Sequence, residues 1–345
     1  MSNPLTIHHE RLGAELAPDS IPLSYTDAKQ EYWTIRKNAG ISDISNLGRL
    51  TVKGKDRSTW LNGLVTNEIS KLGEDAGVHA ALLNTKARVL ADLYIYSLGD
   101  HFLVDTGNAP ASKVKQILDQ FIITEQVKVD DSSQDLVQIT LQGPKSSLAI
   151  KQLLDVDVSL LSGLHCKQLG PSIIISRDRS GVSGFDIVLP RDESEAVWQA
   201  FMLKAADSVQ PVGSTALDIL RLEAGIPKYG TDVDENNIIL ESGFKDAISF
   251  SKGCYMGQEV VARATHIGRV NKQLAQFQIE TTDPPPPKTK LTVESRDAGY
   301  LTSAAYSPGI GKVVALGYAN RDFAKENTRL TVDPGTAVAI VTRII

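Results

Sequence analysis

Short segments in which apolar and polar residues alternate run along most of the chain. Residues 48–54 show this clearly, because Leu50 and Val52 alternate with polar or charged neighbours. Side chains on a strand point to opposite faces in turn, so this alternation predicts strands with one buried face. Comparable patterns predict strands at 78–83, 89–97, 101–104, 136–141, 172–176 and 185–189.

Other segments repeat apolar residues at helical spacing. In 109–121, Val114, Leu118 and Phe121 share one face of a helix, and Pro110 falls in its first turn. Similar spacing predicts helices at 26–38, 148–154, 192–205 and 214–224, with Gly40 as the C-terminal cap of the first.

Four consecutive prolines at 284–287 mark the clearest boundary, because they form a stiff extended spacer. The short strands that follow, joined by the segment 272–279, are typical of a small β-barrel or sandwich. Strands and helices before the prolines lack a regular βαβ period, which predicts an α+β fold. We expect an N-terminal α+β domain over 1–135, a second over 136–270 and a C-terminal β-barrel over 271–345, with chain exchange between the first two.

Composition and charge argue against several classes of function. The 345 residues are enough for two or three domains, and 22% charged with 42% apolar residues is ordinary for a globular protein. A formal net charge of −5 argues against direct nucleic-acid binding. No run reaches the roughly 18 apolar residues of a membrane span, and the first residues do not resemble a signal peptide. We therefore expect a cytoplasmic protein with no membrane partner.

The cysteines and histidines do not predict a metal site. Cys166 and Cys254 are the two cysteines, fewer than the four thiolates that usually hold an iron–sulfur cluster. No H-E-x-x-H motif is present. Cys166 follows His165, but neighbours on a strand point to opposite faces, so we do not expect them to act as a pair.

The richest stretch is residues 252–259, called the signature loop below. Cys254 supplies a nucleophile and Lys252 a cation two positions away, and the apolar residues that follow predict a helix ended by Gly268. A nearby helix N-terminus and the lysine would both favour the thiolate, so we predict that Cys254 is a functional thiol. The alternative is a buried structural cysteine. The loop consists of Lys252, Gly253, Cys254, Tyr255, Met256, Gly257, Gln258 and Glu259.

Several motifs together resemble a known family. The segments 40–45, 82–84, 141–144 and 220–225 follow the order seen in the glycine-cleavage T-protein superfamily. The signature loop resembles that of the YgfZ branch, folate-binding regulators tied to iron–sulfur protein maintenance and tRNA modification. The resemblance extends from about residue 26 to the end. It implies a cloverleaf of three domains around a central cavity that holds a tetrahydrofolate.

One departure from the superfamily concerns catalysis. Aminomethyltransferases carry two consecutive aspartates after the Leu-Leu-Asn strand, and the resemblance places the first beside the folate amine. Here these positions are Ala91 and Asp92. Alanine can neither take up a proton nor stabilise a cation, so we expect the methylamine chemistry to be absent. Asp92 would point away from position 91 on a strand and would need a bulge to replace the missing acid.

The resemblance also implies folate contacts. It places Asp186 where a carboxylate accepts two N–H groups of the pterin; the alternative is an exposed position on an alternating strand. It places Arg221 near the folate; the alternative is an ion pair with Glu223 or another acid. Asn84 and Tyr229 are further candidate contacts, and Tyr229 is otherwise a core or rim aromatic.

Three functions remain open at this point. The first is a tetrahydrofolate-binding accessory protein supporting iron–sulfur cluster assembly or repair and tRNA modification, with iron–sulfur enzymes or cluster-assembly proteins as partners. In it Cys254 is the working thiol, and Lys252 tunes that thiol or contacts the folate. The second is a folate-dependent aminomethyltransferase or demethylase that uses Asp92. The third is a folate-free module that binds partner proteins.

Overall fold

A computed structural model describes residues 3–205, 208–266 and 270–345 of the chain. The chain divides into two compact units, each made of three segments. The first unit comprises Met1–Leu61, Glu68–His79 and Leu93–Leu217, and the second comprises Asn62–Asn67, Ala80–Asp92 and Asp218–Ile345. The three-domain boundaries expected from the sequence stay a prediction.

Helices and strands are mixed throughout, which confirms the expected fold class. The α-helices are α1 Thr6–Arg11, α2 Ala28–Lys37, α3 Arg57–Asn62, α4 Ala111–Asp119, α5 Ser146–Leu154, α6 Ser194–Lys204, α7 Ser214–Ala224 and α8 Gln258–His266. The strands before residue 150 are β1 Glu15–Leu16, β2 Pro22–Ser24, β3 Ala39–Asp43, β4 Gly48–Lys53, β5 Gly77–Leu83, β6 Val89–Ser97, β7 His101–Gly107, β8 Lys128–Asp131 and β9 Leu136–Gln142. The later strands are β10 Cys166–Leu169, β11 Ser172–Ser176, β12 Gly184–Pro190, β13 Val209–Pro211, β14 Lys272–Ile279, β15 Lys290–Val293, β16 Arg296–Ser307, β17 Lys312–Asn320, β18 Arg329–Asp333 and β19 Val338–Ile344.

The first unit contains a six-stranded sheet in the order β10-β11-β12-β9-β3-β13. Its strands pair antiparallel, except that β13 runs parallel to β3. Strand β3 pairs with β9 even though the expected boundary at 135 lies between them in sequence. Trp198 and Phe201 of α6 pack with Ile150 of α5 in the apolar core on this sheet. The antiparallel pairing of β11 with β12 confirms the two strands predicted there.

A five-stranded sheet has the order β5-β6-β7-β4-β8, and β4 pairs antiparallel with both β7 and β8. Helix α4 confirms most of the segment predicted at 109–121: it begins after Pro110 and buries Val114 and Leu118. It ends at Asp119, so Phe121, predicted on the same face, lies beyond the helix and is exposed. Proline suits this position because the first helical N–H groups have no partner within the helix.

The second unit contains a closed barrel in the order β14-β17-β16-β15-β18-β19. Its core includes Phe277, Leu301 and Val341, which confirms the predicted C-terminal barrel and the inclusion of 272–279. The sequence patterns missed β18, a short strand at 329–333. No α-helix in the described segments is both long and apolar enough to cross a membrane.

Gly40 corrects one local prediction. Helix α2 ends at Lys37 with Asn38 as its C-cap, and Gly40 lies in β3. A Cβ at position 40 would lie 2.6 Å from Ile35 Cγ1 and 2.8 Å from Val212 Cγ2. Glycine is therefore required here by close packing rather than by a helix cap. Gly268, predicted to stop α8, lies outside the described residues.

Candidate functional site

The thiol of Cys254 is exposed on the signature loop of the second unit. Helix α8 begins at Gln258, four residues further on, with Glu259 in its first turn. The alternative of a buried structural cysteine is therefore wrong for Cys254. It describes Cys166 instead, which is buried in an apolar cluster with Ile175 and Val188. Burial, with a smaller effect of nearby Asp75, raises the pKa of Cys166 to about 12.

Lys252 is one of the buried charged residues of the second unit, with 7% of its surface exposed. Its Nζ donates to the backbone carbonyls of Asn62 at 2.6 Å, Val65 at 2.8 Å and Asn67 at 2.7 Å. An ammonium group has three N–H donors, so these carbonyls engage all of them. Lys252 was expected to tune the thiol or contact the folate. The structure shows it as an internal anchor for 62–67, and its role toward the thiol or a folate stays a prediction.

Further hydrogen bonds join this segment to the residues just before the signature loop. Thr66 Oγ1 donates to the carbonyl of Ala247 at 2.5 Å, and Ser249 N–H donates to the carbonyl of Thr66 at 3.0 Å. Asn67 Nδ2 donates to the carbonyl of Asp246 at 2.9 Å. The segment 62–67 therefore forms a fixed base for the loop that carries Cys254.

The two glycines of the signature loop differ in what they tolerate. Gly257 has a φ of +84°, and a Cβ there would lie 2.7 Å from the carbonyl oxygen of Asn84. A Cβ on Gly253 would meet nothing within 4 Å. Only Gly257 therefore needs to be glycine for steric reasons.

This close approach brings predicted site residue Asn84 to the signature loop. The Asn84 side-chain carbonyl accepts from the backbone N–H of Lys86 at 2.8 Å and of Arg88 at 3.1 Å, which closes the turn 84–88. Tyr255 is buried, and burial raises the pKa of its hydroxyl. Lys252 Nζ lies 5.4 Å from the centroid of the Tyr255 ring.

Strand β6 carries Ala91 and Asp92 on opposite faces, as the strand pattern predicted. Val89, Ala91 and Leu93 are fully buried, whereas Leu90 and Asp92 are partly exposed, and this alternation continues through Tyr94. Position 91 therefore faces the core, where a carboxylate would be costly. Asp92 lies on the opposite face and is partly exposed. The acid that the chain has at this pair is therefore on the partly exposed face, and a catalytic role for it stays a prediction.

Asp186 on β12 is fully buried, so the alternative of an exposed strand position is wrong. Arg179 Nε donates to both of its carboxylate oxygens at 3.0 Å, and Arg179 Nη2 donates to Oδ2 at 2.7 Å. Gln138 Nε2 donates to Oδ2 at 3.0 Å. This carboxylate therefore accepts the kind of forked, charge-assisted bond that was predicted for a pterin.

Asp105 on β7 completes a compact charged group with Arg177, Arg179 and Asp186, called the arginine–aspartate cluster below. Arg177 Nη1 and Arg179 Nη2 both donate to Asp105 Oδ2, the second at 3.0 Å. Burial alone would raise the pKa of Asp105, but the two guanidinium groups outweigh it and hold that pKa below its ordinary value. The two positive and two negative charges balance one another inside the first unit.

Arg221 forms the ion pair that was the alternative to a ligand contact. Its Nε donates to Asp218 Oδ1 at 2.7 Å, and its Nη1 donates to Asp232 Oδ2 at 2.5 Å. Thr302 and Ser303 hydroxyls donate to the other oxygen of Asp232, each at 2.5 Å. Arg221 therefore ties α7 to the turn at 232 and to the barrel within the second unit.

Tyr229 lies beside that turn and is buried. Burial first, and then the nearby carboxylates of Glu235 and Asp234, raise its pKa to about 12. Its contact with folate stays a prediction.

The predicted site residues thus fall into separate groups. The second unit holds the signature loop with the 84–88 turn, and also Arg221 and Tyr229, whereas Asp186 lies in the first unit. The sequence patterns missed Arg177, Arg179 and Asp105. The two arginines are two residues apart just before the Asp186 strand, which is a local signal, but Asp105 is distant in sequence.

Two protein-family models match this chain. A family model described as the GCVT N-terminal domain matches residues 9–252, more than half of the chain. The Glycine cleavage T-protein C-terminal barrel domain matches residues 272–343. The chain belongs to the GCVT family.

Two proteins of similar sequence illustrate the relationship to this family. An aminomethyltransferase of Caldanaerobacter subterraneus subsp. tengcongensis is 26% identical over 321 residues, covering 91% of this chain and 85% of that protein. One of Desulfitobacterium hafniense is 27% identical over 338 residues, covering 95% and 92%.

The crystal structure of glycine cleavage system aminomethyltransferase T from Bartonella henselae matches with a TM-score of 0.91 at 22% identity, covering 99% of this chain and 96% of that one. This likeness confirms the fold. Membership of the YgfZ branch rests on the signature loop and stays a prediction. Among the described residues, no group of three or more His, Cys, Asp or Glu side chains could hold a metal ion.

Proposed function

We propose that this GCVT-family chain is a cytoplasmic, tetrahydrofolate-binding accessory protein. Through Cys254 it supports iron–sulfur cluster assembly or repair and tRNA modification. The observation that carries the proposal is the placement of the thiol: Cys254 is exposed, while Lys252 and Tyr255 on either side of it are buried. An exposed thiol on a fixed base suits a contact with another protein better than a role in packing.

The surroundings of Asp186 suit the pterin ring of a folate. Asp186 is a buried carboxylate that already accepts a two-pronged bond, and Gln138 stands beside it. A pterin edge offers N–H donors in the same arrangement. Asp186 would hold the pterin, and Arg221, Asn84 and Tyr229 are the further candidate contacts. A tetrahydrofolate would supply a one-carbon carrier.

The partners in this proposal are iron–sulfur enzymes or cluster-assembly proteins that approach the exposed thiol. Two cysteines, one of them buried, are too few to hold a cluster in the usual four-thiolate manner. Cys254 would therefore act on a cluster or thiol of the partner. Neither nucleic acid nor membrane is a partner in this account.

The test compares alanine variants of the two cysteines in cells that lack the native gene. Cys254→Ala should fold normally and bind tetrahydrofolate like wild type, yet fail to restore iron–sulfur enzyme activity. Cys166→Ala, which also removes a thiol, should restore it. Full complementation by Cys254→Ala would show that the thiol is not the working group.

A second candidate function is folate-dependent aminomethyl transfer or demethylation. The observation that favours it is Asp92 on the accessible face of β6. Purified protein would be mixed with tetrahydrofolate and methylamine-loaded carrier protein while methylenetetrahydrofolate is followed. Turnover that disappears in Asp92→Asn would establish the enzyme, and absence of turnover in wild type would leave the accessory role.

A further inference from the structure

The bond between Arg179 and Asp186 resembles a ligand contact in its chemistry. Arg179 presents two adjacent N–H groups, on Nε and Nη2, to the carboxylate. The 2-amino-4-oxo ring of a pterin presents a ring N–H and an exocyclic amine in the same planar relation. A carboxylate therefore meets the same two-donor pattern in both cases.

Arg179 is also the most exposed member of the arginine–aspartate cluster. Its side chain is 17% exposed, against 7% for Arg177, 2% for Asp105 and 0% for Asp186. Solvent therefore reaches this group most readily at Arg179. A molecule that approached Asp186 from that side would meet Arg179 first.

Arg177, by contrast, is fixed. Its guanidinium carbon lies 3.5 Å from the centroid of the Tyr94 ring, and its Nη1 donates to Asp105. Nη1 is also 3.9 Å from Asp186 Oδ2. If Arg179 turned away, Arg177 and the 3.0 Å bond from Gln138 would still compensate Asp186.

The backbone under Arg179 is held in place, so its side chain is the part that can move. Arg179 N–H donates to Gln142 Oε1 at 3.0 Å. Asp178 Oδ1 accepts from the N–H groups of Ser180 at 2.9 Å and Gly181 at 2.6 Å, which closes the turn around it. Rotation of this side chain alone would release its bonds to Asp186 without disturbing the turn.

We propose that Arg179 is an internal occupant of the pterin subsite, competing with folate for Asp186 and thereby setting its affinity. This inference rests on the proposed folate binding, since it assigns the same carboxylate. When the binding-competent state is only partly populated, the apparent dissociation constant rises in inverse proportion to that population. Arg179 thus makes folate binding conditional on its own withdrawal.

The experiment is anaerobic calorimetric titration of the full chain with tetrahydrofolate. Arg179→Met keeps the length of the side chain and removes the fork, so its dissociation constant should fall by about tenfold or more relative to wild type. Arg179→Lys keeps the charge as a single-point donor and should bind with intermediate affinity. Adding Asp186→Asn to Arg179→Met should abolish binding, because the pterin then lacks its carboxylate. Thermal unfolding checks each variant, and Arg179→Lys carries the test if the methionine variant does not fold.

Each outcome separates this inference from the proposed function. Equal binding by wild type and both Arg179 variants would overturn competition and leave folate binding intact. Weaker binding by the variants would show that Arg179 is a ligand contact, which also overturns it. No binding by any form would overturn the folate proposal, and this inference with it. Tighter binding that depends on Asp186 would support both.

Discussion

The signature loop and the arginine–aspartate cluster use buried charge in opposite ways. In the loop, the ammonium of Lys252 is buried against carbonyls, whereas the thiol of Cys254, two residues further on, is exposed. In the cluster, the group with binding chemistry, Asp186, is itself buried and covered by Arg179. The loop exposes its thiol, whereas the cluster buries its carboxylate. Partner contact and ligand binding therefore need different tests.

The largest loss of unfolding free energy is expected when the charge of Asp105 is removed from the arginine–aspartate cluster. Asp105→Asn leaves two buried guanidinium groups short of one negative charge, so unfolding free energy at pH 7 should fall by about 3–5 kcal/mol. Urea denaturation measures this. A loss below about 1 kcal/mol would show that the cluster is far better hydrated than its burial indicates.

The same residue predicts a pH dependence. The pKa of Asp105 is lower in the folded chain, so its stabilisation is complete above the unfolded pKa of about 3.9 and is lost as pH falls towards the folded pKa. The difference between wild type and Asp105→Asn should therefore be constant near neutral pH and shrink below about pH 4. Urea titrations at successive pH values measure it; a pH-independent difference would contradict this assignment.

A substitution of Lys252, the anchor of the signature loop, should lower the unfolding free energy nearly as much. Lys252→Met leaves three carbonyls without their charged donor, which should cost about 3 kcal/mol of unfolding free energy. Lys325→Met, at an exposed position of the same unit, should change it by less than about 0.5 kcal/mol. Equal losses in the two variants, measured by urea denaturation, would rule out the anchor.

A smaller effect separates the two loop glycines. Gly257→Ala should lose about 2 kcal/mol because of its positive φ and the close carbonyl of Asn84. Gly253→Ala should lose less than about 1 kcal/mol, since the space there is open. Thermal unfolding of the pair tests the prediction, and a reversed order would mean that Gly253 carries the constraint.

The smallest effect on stability is expected at the thiol itself. Cys254→Ser replaces one exposed polar atom and should change unfolding free energy by less than about 0.5 kcal/mol. Cys166→Ser places a hydroxyl in an apolar cluster and should cost about 1–3 kcal/mol. Matched losses in urea denaturation would contradict the contrast between an exposed and a buried cysteine.

Regular patterns predicted much of the fold. Helix α7 appears at the predicted residues 214–224, and the barrel follows the prolines as expected, because periodicity and proline chemistry act locally. Arg49 shows the limit of such patterns. Alternation placed it on a polar face, yet it is fully buried and donates to the carbonyls of Ser45 and Leu136. Partners from distant segments decide such positions.

The site could be predicted only in part, because some of its side chains find their partners in distant segments. Cys254 could be singled out because its functional neighbours are adjacent in sequence. The Arg179–Asp186 bond depends on the pairing of β12 with β11 and on the turn between them, and Asp105 comes from another strand.

Calorimetric titration with tetrahydrofolate, comparing wild type with Asp186→Asn, tests the central claim most directly. The account predicts saturable one-site binding by wild type, with a dissociation constant below the millimolar range, and loss of that binding in Asp186→Asn. Arg221→Ala, run alongside, reports whether Arg221 affects the dissociation constant. Binding unchanged by Asp186→Asn, or no binding by wild type and Arg179→Met alike, would contradict the account.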